Sequence, residues 1–318
     1  MSIVAKGEVE MTKQRLLKNL MDAELGNRLE KDNRIREYLI PSRVLWKTEG
    51  GDVTVENEDV LLEERSGQIT LNSGKACILR NHGGNAGVLL DFGLEIQGGI
   101  QVVAWGCGET GKARLRVRFG ESAMEAMSEI GENGSTNDHA VRDQEIEVST
   151  LGTTEIGNSG FRFARIDLLD DNTFVEFKMI RAVFIYKDIE YKGSFQSSDS
   201  LLNQIWKTGA YTVHLNMQNY LWDGIKRDRL VWIGDMHPEV STINAVFGYD
   251  EIVPKSMDLI RDDTPLPGWM NGFPSYSMWW ILLQHDWYLQ HGDIEYLKQQ
   301  KDYLVPLLDL LCEHINEE

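Results

Sequence analysis

WDGIKRDRLVWIGDMHPE, residues 222–239, gathers Asp223, Asp228, Asp235 and Glu239 with Lys226, Arg227, Arg229, two tryptophans and His237. The three aspartates are not at helical spacing, and Gly224 and Gly234 interrupt any helix. The segment therefore reads as a loop that enters a helix near Pro238. Loops held by a rigid scaffold are where binding and catalytic groups collect. On composition alone two readings stand: a surface salt-bridge cluster with core tryptophans, or a site that grips a sugar. The second has a clear chemical logic. Glycosidic cleavage needs an acid to protonate the leaving oxygen and a second carboxylate to act on water or carbon. The acid keeps its proton near neutral pH only if burial or neighbouring carboxylates raise its pKa.

Outward from this loop, the chain changes pattern on each side. Upstream, short apolar runs alternate with Gly, Asn and Asp, as in GQITLNSGKACILRN and GVLLDFGLEIQGGIQVVAW, and predict strands and turns. In KARLRVRFGE, Ala113, Leu115, Val117 and Phe119 alternate with Lys112, Arg114, Arg116 and Arg118. That period of two predicts an apolar face and a solvated cationic face. FVEFKMIRAVFIY (174–186) is a further strand-rich segment, and together these runs predict an antiparallel β-sandwich. Residues 122–139 interrupt the strands, the second half reading as an exposed loop, with Asp138 and His139 as small polar loop residues rather than a metal pair.

Near residue 196 helical periodicity takes over. SSDSLLNQIW places polar caps before Leu201, Leu202, Ile205, Trp206 and Ala210 on one helical face. YSMWWILLQHDWYLQH predicts a strongly apolar helix ended by Gly292, and Asp293 caps a last helix that Pro306 kinks or divides. Residues 11 to about 38 are charged with scattered leucines and permit a helix. The domain expectation is a charged helical segment at 1–39, a β-sandwich at 40–195 and a helical domain at 196–318.

The 318 residues carry 50 acidic and 32 basic side chains, a formal charge of −18, which disfavours nucleic acid and anionic membranes as partners. No apolar run approaches a membrane span. The first residues, MSIVAKGEVEMTKQ, lack the apolar core of a secretion signal, which favours the cytoplasm. Cys77, Cys107 and Cys312 fit no disulfide or zinc spacing and read as buried free thiols. No phosphate loop, nucleotide fingerprint or metal motif occurs, so no cofactor and no metal are expected.

DGIKRDRLVWIGDMHPE resembles the signature of the α-L-rhamnosidases of glycoside hydrolase family 78, whose usual form is Asp-Cys-Pro-x-Arg-(Asp)-Glu-Arg-x-Gly-Trp-x-Gly-Asp. LLDFGLEIQGG with GKARLRVRFGES, GNSGFRFARIDL with IRAVFIYKDIEYKGSFQSSD, and SYSMWWILLQHDWYLQHGDIEYL are similar to the segments that flank it in that family. The resemblance implies a β-domain followed by an (α/α)6 barrel that hydrolyses terminal α-L-rhamnosyl groups with inversion. It implies Asp228 as the general acid, and Asp223 and Asp235 as residues that bind rhamnose hydroxyls and raise the acid's pKa. Arg227 and Trp232 would line the sugar subsite, with Trp269, Tyr276 and Trp279 as further aromatic walls. His237 and Glu239 read as structural. Two departures from the pattern stand out: Gly224-Ile225 in place of Cys-Pro, and Asp in place of Glu at 228, which shortens the acid by one methylene.

After residue 196 about 120 residues remain, room for roughly four to six helices. The resemblance therefore implies an incomplete barrel that carries the acid side of the site, lacks the general base and is nearly inactive alone. An inverting pair needs carboxylates about 6.5–9.5 Å apart. Open inner helix faces would favour self-association. Competing readings are a six-hairpin glycosidase for another sugar, a non-catalytic carbohydrate-binding protein, and a structural subunit.

Overall fold

Side-chain alternation builds the N-terminal half. A computed structural model describes residues 32–315, and residues 34 onward form a single unit. Among the described residues nine strands occur: β1 (Arg34–Leu39), β2 (Arg43–Lys47), β3 (Val53–Glu56), β4 (Cys77–Asn81), β5 (Gly87–Cys107), β6 (Lys112–Gly120), β7 (Asp143–Ser149), β8 (Gly152–Leu168) and β9 (Thr173–Lys187). The spacing of strands predicts a sandwich. In the structure all nine are hydrogen-bonded into one antiparallel sheet, in the order β3-β4-β9-β5-β8-β6-β7, with β1 on β9 and β2 on β5. The long strands explain this continuity. β5 pairs with β2, β8 and β9 along its length, and its register slips between Asp91 and Ile96 and again between Gly98 and Ile100. Such slips bend a strand and increase its twist. Leu79, Leu90, Phe92, Ile100, Phe161 and Phe177 are buried in the common core.

Three expectations are corrected here. Residues 34–39, inside the segment that permits a helix, form β1 instead, because the end of β9 offers them a paired edge from Ala182 to Lys187. The rest of that segment, up to residue 31, lies outside the described residues. On β6 the apolar set is buried as the alternation predicts, but the opposite face is not simply solvated. Arg118 is 4% exposed and pairs with Asp167 at 2.9 Å, while Arg116 bridges Asp143 and Glu129. Neighbouring acidic residues on β7 and β8 neutralise these cations in place. Cys77 and Cys107 are buried free thiols, whereas Cys312 is exposed at the end of the last helix.

Six α-helices among the described residues follow the same logic: α1 (Ala123–Met127), α2 (Ser200–Asn216), α3 (Ile233–Val246), α4 (Ile252–Asp263), α5 (Pro274–His291) and α6 (Ile294–Cys312). Asp199 caps α2 by accepting from Leu201 N, and Asp293 caps α6 by accepting from Tyr296 N. Gly292 ends α5 in the left-handed conformation. Pro306 sits inside α6 without dividing it. Trp280, Trp287, Met236, Ile243 and Met257 form the buried helical core. The face expected on α2 is split. Ala210 is buried, but Leu201, Leu202 and Ile205 are exposed. Among the described residues no helix is long and apolar enough to cross a membrane.

Candidate active site

The signature loop hangs between α2 and α3 and is held from both ends. Asp223 closes it: its backbone N donates to Leu230 O, and its Oδ1 accepts from Leu230 N, each at 3.0 Å. The helix after it begins at Ile233, five residues before the expected entry at Pro238. Trp232 provides no side-chain cap. Asn271, from a 3-10 turn far along the chain, does so instead: its Oδ1 accepts from Ile233 N at 3.0 Å, and its Nδ2 donates to Val231 O at 3.1 Å. Starting the helix early places Asp235 in the first turn and Glu239 one turn later on the same side. Gly234 has no side chain because the Tyr276 ring occupies that space, 2.3 Å from where a Cβ would stand.

The sheet anchors the loop directly. Gly160 N donates to Ile225 O at 2.7 Å, and Ser159 Oγ donates to Lys226 O at 3.1 Å. Lys226 pairs with Glu121 and with buried Glu125, which also holds Arg142. Arg229 donates to the carbonyls of Asn158 and His139. His139 in turn places Nδ1 2.8 Å from Asp228 Oδ1. Among the described residues no group of three or more His, Cys, Asp or Glu side chains could hold a metal ion.

A groove of about 690 Å³ runs between α2 and α3. Its apolar end is formed by Leu201 and Ile205, and its acidic end by Asp223, Asp235 and Glu239. Burial, with Asp228 as a nearby anion, raises the pKa of both Asp223 and Asp235. Asp228 behaves oppositely. The adjacent Arg227 guanidinium, 2.5 Å from Oδ1, and His139 hold its carboxyl below the usual range. The expectation that neighbouring carboxylates raise the pKa of Asp228 is thus reversed in this arrangement, because a cation lies closer than either anion. Glu239, buried beside Asp235 and Asp223, is pushed up further, to about 8.

The expected aromatic walls lie elsewhere. Trp232 packs against Tyr276, ring centroids 6.1 Å apart, and against Phe273. Trp279 packs on His237, and Trp269 on His314. None of the four lines the groove. The loop thus brings Asp223 and Asp235 together at the groove and sets Asp228, paired with Arg227, against His139 from the loop before β7. Glu239, read as structural from the sequence, is the added member. The four-residue interval from Asp235 was the signal for it.

Comparison with known proteins adds to this geometry. Residues 190–315 match the family model for the bacterial alpha-L-rhamnosidase 6 hairpin glycosidase domain. The helical part of the chain is thus similar to the six-hairpin domain of bacterial α-L-rhamnosidases. An α-L-rhamnosidase of Formosa agariphila is 33% identical over 104 residues, 32% of this chain and 10% of that protein. A family 78 rhamnosidase of Bacillus sp. GL1 superposes with a TM-score of 0.64 at 22% identity, over 81% of this chain and 27% of the other. A Klebsiella oxytoca rhamnosidase with rhamnose bound gives 0.66 at 17% identity, over 90% and 58%. These structures share the fold of the rhamnosidase-like chain. The chain spans about a tenth of the curated relative and between about a quarter and three fifths of these two structures.

Proposed function

We propose that this chain supplies the acid side of a glycosidase that removes terminal α-L-rhamnosyl groups with inversion. The observation that carries the reading is the convergence of Asp223 and Asp235 on one groove within the segment that matches the rhamnosidase domain. In this reading the two carboxylates accept hydrogen bonds from sugar hydroxyls, and Asp228 protonates the glycosidic oxygen. Asp228 begins ionised, paired with Arg227. That guanidinium is 58% exposed, whereas the Asp228 side chain is 9% exposed, so the cation is the partner free to leave. A sugar seated on Asp228 displaces the guanidinium and completes the burial of the carboxyl, which raises its pKa toward that of a working acid. Among the described residues none is assigned the water-activating role.

Hydrolysis of an α-L-rhamnosyl disaccharide tests the assignment, alongside a panel of nitrophenyl glycosides that fixes the sugar. In a form of the protein whose barrel is complete, Asp228→Asn lowers the rate on the disaccharide by about two to three orders of magnitude. The loss on nitrophenyl α-L-rhamnoside is smaller, since nitrophenolate leaves without acid help. Equal turnover of the disaccharide by both forms, or release of a different sugar from the panel, overturns the proposal.

A further inference from the structure

Glu239 is 7% exposed, yet it lines the groove with Asp223 and Asp235. Its Oε1 accepts a hydrogen bond from Asn216 Nδ2 at 2.9 Å. Its Oε2 is buried and has no protein partner. Buried polar atoms are almost always satisfied, so an idle carboxyl oxygen at the wall of a groove needs a reason. The charged groups that bear on it are Asp235, from the first turn of α3, and Asp223, from the loop after α2. Both are anionic and neither can satisfy it as an acceptor. Burial, reinforced by these two anions and opposed by the Asn216 hydrogen bond, moves its pKa up to about 8. At neutral pH it carries a proton.

Resting on the glycosidase reading above, we infer that Glu239 is a further substrate-binding residue, whose free Oε2 donates a hydrogen bond to a hydroxyl oxygen of the sugar held by Asp223 and Asp235. Two ionised carboxylates can only accept hydrogen bonds, whereas a sugar hydroxyl both donates and accepts. A neutral carboxyl beside them supplies the missing donor and adds no third negative charge. It therefore selects for an acceptor oxygen at one position of the ring, a demand that a wall of carboxylates cannot make.

Calorimetric titration of the full chain with L-rhamnose, L-mannose, D-mannose and D-glucose, between pH 6 and 9.5, tests this. The wild-type chain binds L-rhamnose best and loses about tenfold in affinity across the range as the Glu239 proton leaves. Glu239→Gln, a neutral isostere that keeps a donor, binds within about threefold of wild type at pH 6 and changes less than about twofold across the range. Glu239→Met loses about tenfold at pH 6. Asp223 and Asp235 are present in both wild type and Glu239→Gln, so a pH profile shared by the two does not come from Glu239 and overturns its role. Wild-type affinity in Glu239→Met overturns it equally. Either result leaves the glycosidase reading standing. If Glu239→Met does not fold, the profile of Glu239→Gln decides alone. A wild-type chain that binds no sugar of the panel overturns both readings.

Discussion

His139 Nδ1 lies 2.8 Å from Asp228 Oδ1, and the two residues come from different halves of the fold. His139 stands in the loop before β7, Asp228 in the loop before α3. The N-terminal half therefore does more than precede the helices, since a loop between its strands supplies a side chain to the candidate acid. The backbone around His139 is similarly committed: its φ is +57°, and its carbonyl accepts from Arg229.

Replacing His139 with Asn, which tolerates that left-handed backbone, removes the imidazole and retains the carbonyl contact. In a form of the protein whose barrel is complete, hydrolysis of a rhamnosyl disaccharide falls by about tenfold. The folding stability, read by urea unfolding, changes by less than about 0.5 kcal/mol because the side chain is half exposed. An unchanged rate means that the contact with Asp228 plays no part in the reaction.

Gly160 on β8 makes the second crossing. A Cβ there would stand 2.5 Å from Ile225 Cγ1 and 3.1 Å from its carbonyl carbon. Gly160→Ala pushes the signature loop off the sheet, at about 1–3 kcal/mol. Sugar affinity falls along with thermal stability. Thermal scanning with and without L-rhamnose checks both, and a variant with unaltered affinity places the loop's anchor elsewhere.

These crossings mark the limit of what the sequence makes legible. The alternation in β6 names its buried face residue by residue, and the caps at Asp199 and Asp293 are visible as polar residues before apolar periods. The acidic triplet of the signature is equally plain, since Asp223, Asp228 and Asp235 occupy one short segment. What is hidden depends on partners distant in sequence. Asn271 caps α3 from beyond α4, so the helix start at Ile233 has no local signal. Arg118 looks solvent-facing until Asp167 of β8 is placed against it. The exposure of Leu201 and Ile205 contradicts their periodicity, because a helical stripe identifies a face and not what covers it. Glu239 alone was recoverable, through its four-residue interval from Asp235.

The ion pairs on β6 give a contrast within a single strand. Arg118 and Asp167 are both 5% exposed at the side chain, whereas Arg114 is 56% exposed in its pair with Asp170. Arg118→Ala leaves buried Asp167 with Arg165 as its one cation and costs about 1–3 kcal/mol. Arg114→Ala costs less than about 1 kcal/mol. Urea unfolding of the two variants separates them, and equal losses contradict the role of burial.

Asp91 sets an acid limit on the sheet. Burial acts to raise its pKa, but hydrogen bonds from Arg162, the Gly93 backbone and Arg43 outweigh it and hold the carboxyl at about 2. Its folded pKa is below its unfolded value, so its contribution is complete above about pH 4 and is lost as pH falls toward 2. Wild type loses about 2 kcal/mol more stability than Asp91→Asn between pH 5 and 2. Parallel acid profiles of the two proteins contradict the pairing.

Titration of L-rhamnose into the wild-type chain and into the Asp223→Asn/Asp235→Asn double variant addresses the central claim most directly. Two charge-assisted hydrogen bonds to sugar hydroxyls are each worth about 1.5–3 kcal/mol. The account predicts saturable binding to wild type, weaker by at least about a hundredfold in the double variant, with the unfolding midpoint little changed. Equal binding to both proteins would contradict the placement of the rhamnosyl site in the groove between α2 and α3.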